Sequence, residues 1–286
     1  MKFLITGAKG QLAREFLNQT SDIRRLIPDI EIKALDKESL DISDSKATLE
    51  AVIHYKPDVI VNCAAYNLVD KAEGDFDTAY RVNALGPKNL ASACKKLNAL
   101  LVHYSTDYIF DGTKEDLYTE QDEPNPLNNY GKSKLEGERF LLEEIDNFLL
   151  FRVSWVYGNG KQNFLYKLKE WAENQKVIKV VCDQISVPTY TEDIMRVTIH
   201  AIKEGLRGVY HLTNSGYASR YEFARYFTEK SGLNNLILPV GSDYFPTPVK
   251  RPYFSAMSNA KISETLKIHI PDWRDGIDRF LKWRLA

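Results

Sequence analysis

Over the first half of the chain, short apolar runs alternate with amphipathic stretches. KFLIT (2–6) is a β-rich run that stops at a glycine turn, and QLAREFLNQT (11–20) then carries apolar residues at helical spacing. EIKAL (31–35) reads as a second strand ending at Asp36. KATLEAVIHY (46–55) reads as a helix that stops before Pro57, and DVIVN (58–62) as a third strand, apolar on both faces. A long helix is expected over 76–97, a fourth strand at ALLVHYS (99–105), a helix from Tyr130 to about Asn147 and a fifth strand at FLLFRVS (148–154). Strands apolar on both faces belong in a parallel sheet covered by helices, and strand–helix alternation implies right-handed crossovers. The pattern predicts an α/β fold, a Rossmann-type doubly wound parallel sheet over residues 1–155.

Past that point the pattern loosens. Helices are expected at 163–175, 191–204 and 221–231, and strands at VIKVV (177–181) and GVYHL (208–212). YFPTPVKRP (244–252) is expected to be irregular, because its prolines remove donors and fix φ. Residues 156–286 thus read as a smaller C-terminal α/β substrate lobe, with interleaving between the two parts left open.

Composition narrows the function. The 286 residues are 44% hydrophobic and 27% charged, with 38 basic against 39 acidic side chains, an ordinary globular balance. No basic run is long enough to track a phosphate backbone, and no apolar run is long enough to span a membrane, so nucleic acid and membrane are not expected partners. The opening MKFLITGAKG is too short in apolar residues for a secretory signal. Cys63, Cys94 and Cys182 form no C-x-x-C and sit in apolar settings, which reads as buried free thiols and fits a reducing cytoplasm. The five histidines form no H-E-x-x-H, so no metal site is expected.

Two stretches carry candidate chemistry. TGAKGQLA (6–13) has the form G-x-x-G-x-x-A between the first strand and the first helix. Gly7 and Gly10 there let backbone approach a pyrophosphate, and the helix N-terminus offers free N–H groups. Asp36, ending strand two, is placed to bind an adenosine ribose and favours NADH. Lys37 follows at once and offsets the charge, so NADPH stays open as well. In YGKSK, Tyr130 and Lys134 share one helix face a turn apart. A lysine ammonium near a phenol is expected to lower its pKa, so that Tyr130 donates a proton as hydride reaches carbon. Ser105, Thr106 and Asp107 end strand four, where ligands bind in open parallel sheets, and one hydroxyl there would complete an acid–base set.

In order and spacing, G-x-x-G-x-x-A, Thr106, Tyr130 and Lys134 resemble the extended short-chain dehydrogenase/reductases, which act largely on nucleotide sugars. Within that branch, STDYIFDG, NCAAYNLVDKAE, RVSWVYGNGKQNF, DQISVPTY and TPVKRP are similar to the dTDP-4-dehydrorhamnose reductase family. Thr106 is followed by Asp107 and Tyr108, so the Asp-Glu pair of the sugar-nucleotide dehydratases is missing. The resemblance implies that Gly10, Gln11 and Leu12 contact the cofactor diphosphate, and that Asp36, Asp41 and Ile42 contact its adenosine side. It places Ala64 and Ala65 at the cofactor from strand three, and Tyr130 and Lys134 on the nicotinamide ribose. Thr106, Asp107, Tyr130 and Trp155 would contact the sugar, and Arg251, with Lys250, the nucleotide diphosphate. Glu15 and Glu192 match two of three glutamates that hold magnesium at a dimer interface in some members. The third lies in a C-terminal extension not found here, which leaves metal and oligomer, monomer or homodimer, without support. The implied reaction is NAD(P)H-dependent reduction of the C4 ketone of dTDP-4-dehydro-β-L-rhamnose to dTDP-L-rhamnose, for cell-surface polysaccharide. Two rivals stand beside it: reduction of another nucleotide-linked 4-keto sugar, and a non-catalytic NADP-binding regulatory subunit.

Overall fold

The computed structural model describes residues 1–285. In chain order the first half runs β1 (Lys2–Thr6), α1 (Gln11–Asn18), α2 (Thr20–Leu26), β2 (Glu31–Leu35), α3 (Ser45–Tyr55) and β3 (Val59–Asn62). It continues through α4 (Val69–Ala72), α5 (Phe76–Tyr80), a π-helical turn (Arg81–Leu85), α6 (Gly86–Leu97), β4 (Leu100–Thr106), α7 (Asn129–Glu144) and β5 (Phe148–Val153). Then come β6 (Val156–Tyr157), α8 (Phe164–Asn174), β7 (Val177–Val181), β8 (Ile185–Ser186), β9 (Thr189–Tyr190), α9 (Thr191–Lys203) and β10 (Gly208–His211). β11 (Ala218–Ser219), α10 (Arg220–Lys230), β12 (Leu236–Val240), α11 (Ala260–Leu266) and α12 (Trp273–Leu285) complete the chain.

Six strands form one sheet in the order β10-β5-β4-β3-β1-β2, and every neighbouring pair is parallel. The residues divide by alternation between the two faces. Phe3, Ile5, Val59, Val61, Val102, Leu149 and Phe151 pack with α1, α2 and α9 on one side. Leu4, Ile60, Leu101 and Leu150 pack with α3, α6 and α7 on the other. This is the covered, doubly wound sheet that apolar two-faced strands call for. The sixth strand comes from beyond residue 155, as does α9, which packs on α1. A separate aromatic core, with Tyr157, Phe223, Trp273 and Phe280, unites α8, α10 and α12 around the parallel pair β7–β12.

Some elements differ from expectation. The helix expected over 11–20 breaks at Gln19, where the Thr20 hydroxyl donates to the Leu17 carbonyl at 2.7 Å and competes with the helical ladder. The helix expected over 76–97 passes through the π-helical turn, because Pro87, in the first turn of α6, has no N–H to continue the regular ladder. α7 ends at Glu144 rather than near Asn147, since Ile145 turns extended and packs into the core on the way to β5. Cys182 is exposed and Cys63 only half-buried, so Cys94 alone of the three thiols is buried as expected.

α7 is fastened to the sheet by an ion pair. Glu138 meets Arg152 of β5 at 2.8 Å, with side chains 1% and 8% exposed. Removing one partner leaves a buried charge uncompensated, which costs far more than an exposed pair would contribute. Glu138→Gln is therefore expected to lower the urea-unfolding free energy by about 3 kcal/mol. An unchanged midpoint and slope would show that the pair does not fasten the helix.

Candidate active site

Every strand of a parallel sheet delivers its carboxyl end to the same edge, and here that edge frames a cavity of about 290 Å³. Gly10, Gln11 and Leu12 line it from the turn after β1, Ala64 and Ala65 from the end of β3, and Thr106 from β4. Tyr130 and Lys134 enter from α7, and Trp155 from the loop after β5. Gly7 sits at φ 70°, and a Cβ there would lie 2.7 Å from the Ala64 nitrogen, so the first and third strand ends approach this closely only with glycine. Gly10 occupies the N-cap position of α1 and offers no side-chain cap, which leaves the N–H groups of the first turn free for an anion. Gln11 also donates to the Val156 carbonyl at 2.9 Å, tying the turn to the chain beyond β5.

Thr106, Tyr130 and Lys134 are brought together. The Asn128 side chain caps α7 by accepting from Gly131 N–H at 2.8 Å, so Tyr130 falls in the first turn. A Cβ on Gly131 would lie 2.2 Å from the Tyr108 carbonyl oxygen, so the glycine of YGKSK lets α7 lie hard against the segment after β4. The Tyr130 ring packs edge-on to Tyr108 at 5.9 Å, and its hydroxyl donates to Asn67 Oδ1 at 3.4 Å. Burial pushes the phenol's pKa up, and a hydrogen bond with Thr106 opposes this. The lowering expected from Lys134 is absent. The Lys134 ammonium donates instead to the Tyr104 carbonyl at 2.6 Å. Burial in turn pulls the Lys134 pKa down to about 8, with Glu138 acting against it. The phenol is thus held protonated at neutral pH, the state from which a proton can be given.

The other residues named from sequence divide between the cavity and its surroundings. Asp107 is buried, its Oδ2 accepting from Ser186 at 2.8 Å and Ser255 at 2.6 Å and its Oδ1 from Thr106 at 3.2 Å. Its carboxylate ties the end of β4 to the second lobe as well as lining the cavity. Asp36, outside the cavity, is paired with Lys9 at 2.8 Å and accepts from Ser39, and both hold its carboxyl well below the usual range. Lys37 is exposed. Burial would raise the Asp41 pKa, but two bonds from Ser43 and the charges of Lys37 and Arg81 hold it low. The Ile42 side chain is buried, and its carbonyl accepts from Asn89 at 2.9 Å. Arg251 lies outside this cavity, paired with Asp70 at 2.6 Å and bonded to Thr247. Glu15 accepts from Thr191 at 2.9 Å, and Glu192 is paired with Arg279 at 2.9 Å.

A family model described as the RmlD substrate binding domain matches residues 1–285. A crystal structure of a dTDP-4-dehydrorhamnose reductase from Clostridium acetobutylicum superposes with a TM-score of 0.95 at 37% identity, covering 100% of both chains. The chain belongs to the dTDP-4-dehydrorhamnose reductase family. A second family structure, from Bacillus anthracis in complex with NADP, gives a TM-score of 0.94 at 34% identity over 99% of each chain. The spore coat polysaccharide biosynthesis protein SpsK of Bacillus subtilis is 37% identical over 283 residues, 99% of this chain and 98% of its own.

Among the cavity residues that the motifs gave no role, Arg220 stands out. Arg220 opens α10 and lines the cavity, its guanidinium 3.5 Å from the Trp155 ring centroid. A cation in the first turn of a helix opposes the macrodipole, and that misplacement was the available signal. Asn83, on the π-helical turn and outside the cavity lining, is a second residue that no motif named. It joins the β3 loop to α7 by accepting from Tyr66 N–H at 2.8 Å and donating to the Ser133 hydroxyl at 3.0 Å.

Lys134 is expected to titrate near pH 8, a cation below that and neutral above. NMR of ¹³Cε-lysine-labelled protein, with the resonance assigned by its loss in Lys134→Arg, checks this. Glu138→Gln is expected to move the midpoint further down, since Glu138 favours the charged form. A midpoint at the ordinary lysine value would contradict the burial described above.

Proposed function

We propose that this chain reduces the C4 ketone of dTDP-4-dehydro-β-L-rhamnose to dTDP-L-rhamnose, with a nicotinamide cofactor as hydride donor, for cell-surface polysaccharide synthesis. One observation carries the reading: Thr106, Tyr130 and Lys134 surround a single cavity at the strand ends, in a chain whose relatives are reductases named for that keto sugar. Polysaccharide synthesis is supported by the spore coat relative, and the cofactor class by the NADP complex of the Bacillus anthracis relative.

The residues fit a dinucleotide. The uncapped start of α1 and the glycine turn before it would receive the diphosphate, and Asp36 would face the adenosine ribose. When bound, the cofactor supplies a hydride to C4 of the sugar. The protein's part is to hold the ketone and deliver the proton. With the ketone bound, the Thr106 hydroxyl turns from Asp107 and the Tyr130 hydroxyl from Asn67 to donate to the C4 oxygen, and Tyr130 passes its proton to that oxygen as negative charge develops there. Lys134, anchored by the Tyr104 carbonyl, would hold the nicotinamide ribose rather than tune the phenol.

Asp36 bears on cofactor choice in a definite way. Lys9 is held by Asp36 and by Glu38 at 3.0 Å, so loss of the Asp36 carboxylate removes a negative charge and leaves Lys9 with one exposed acid partner, closer to serving a 2′-phosphate.

Product identification after incubation with dTDP-4-keto-L-rhamnose and NAD(P)H tests the reaction. dTDP-L-rhamnose is expected, and strong preference for a UDP- or GDP-linked ketone would sink the assignment. Tyr130→Phe is expected to lower kcat by about 100-fold or more while cofactor binding persists. Near wild-type turnover would remove Tyr130 as the acid. Asp36→Ala is expected to shift the NADPH-to-NADH ratio of kcat/KM toward NADPH by about tenfold, the worth of one charge-assisted hydrogen bond. An unchanged ratio would mean that the carboxylate does not read the ribose.

A further inference from the structure

A second cavity, of about 860 Å³, adjoins the first. Its walls are largely apolar and aromatic, with Phe164, Trp171, Val181, Phe245, Val249 and Tyr253 among them. Among the described residues, Arg220 alone lines both cavities.

Three features single out this guanidinium. It is clamped between rings, 3.5 Å from the Trp155 centroid and 5.3 Å from that of Phe164, which fixes the plane of its donors. Trp155 is itself held at φ 38°, a left-handed backbone that a bulky residue adopts only when its surroundings enforce it. Arg220 also forms no salt bridge among the described residues, unlike Arg251, which is paired with Asp70. The Tyr108 phenol acts on it first, through charge and a hydrogen bond, and Asp107 next, a carboxylate already bound by Ser186 and Ser255. Burial lowers the Arg220 pKa to about 10, so it remains a cation at neutral pH. A largely desolvated cation without a carboxylate partner is costly, and an anionic ligand offsets that cost.

We infer that Arg220 holds the diphosphate of a nucleoside-diphosphate sugar, with the sugar in the smaller cavity at Tyr130 and the base in the larger aromatic one. This rests on the nucleotide-sugar reading above. The geometry follows from the order of parts in such a molecule. With its sugar at one end and its base at the other, its anionic middle must lie where the two cavities meet. A planar guanidinium there can donate to two phosphoryl oxygens at once. Arg251 lines the larger cavity and reaches Tyr108 at the edge of the smaller one, but its guanidinium is already paired with Asp70.

The test compares wild type, Arg220→Met and Arg220→Lys by calorimetric titration with dTDP and with thymidine. NADPH binding, followed by fluorescence, is the check that each variant is folded. Arg220→Met is expected to weaken dTDP binding by about 10- to 100-fold and to leave thymidine within about twofold. Arg220→Lys is expected to recover part of the loss, having charge without the planar fork. The assignment is overturned if Arg220→Met binds dTDP like wild type, or if dTDP and thymidine weaken equally in a folded variant. Wild-type turnover of the keto sugar is scored separately. Its absence would strike the proposed reaction, while the contrast between dTDP and thymidine would still decide the role of Arg220.

Discussion

The closeness of α7 to the carboxyl ends of β4 and β5 is the constraint on which the site depends. Gly131 admits the Tyr108 carbonyl where any side chain would collide, Asn83 reaches Ser133, Lys134 reaches the Tyr104 carbonyl, and Glu138 meets Arg152. Gly131, Lys134 and Glu138 lie along one face of the helix, and Ser133 holds an adjoining face to the π-helical turn. They convert the spacing of YGKSK into fixed positions for a phenol and an ammonium at the strand ends. The same closeness buries both groups, and burial moves their proton affinities apart, the phenol's upward away from its ionised form and the ammonium's downward. A proton donor that stays loaded until substrate charge appears is the result.

The two parts of the molecule meet through polar side chains at this same edge. Asp107 takes hydroxyl hydrogens from Ser186 and Ser255, and the Ser154 and Ser186 hydroxyls are 2.5 Å apart. Gln11 bonds both to the Val156 carbonyl and to Asn163, which caps α8. A shift of the second lobe would therefore be felt at the glycine turn and at the end of β4 together.

The central strands β3, β4 and β5 were legible because their runs are apolar on both faces, and the glycine turn and YGKSK because their residues recur at spacings with a mechanical reason. The interruptions of the helices at Thr20 and Pro87 were less so, since helical periodicity carries across a local defect. β12 was not anticipated. Its run LILPV contains Pro239 and shows no clean alternation, and it becomes a strand only by pairing with β7. Among site residues, those named by motif gathered at the cavity, whereas Asp36, Asp41 and Ile42 lie beside it, held by their own neighbours. Arg220 gave only the signal of a cation in a helix's first turn, because its meaning comes from two cavities that only the folded chain creates.

The origin of the sixth strand has a consequence for how the protein is made. β5 is finished at Val153, but its outer edge is paired only by β10, which begins at Gly208. During synthesis at roughly 5–20 residues per second, that edge stays open for a time on the order of seconds, with its backbone donors and acceptors unpaired. The nascent chain passes through a stage in which a nearly complete apolar sheet presents a sticky border. Slowing of the ribosome between these two strands would lengthen that exposure and favour pairing with another chain over closure of its own sheet.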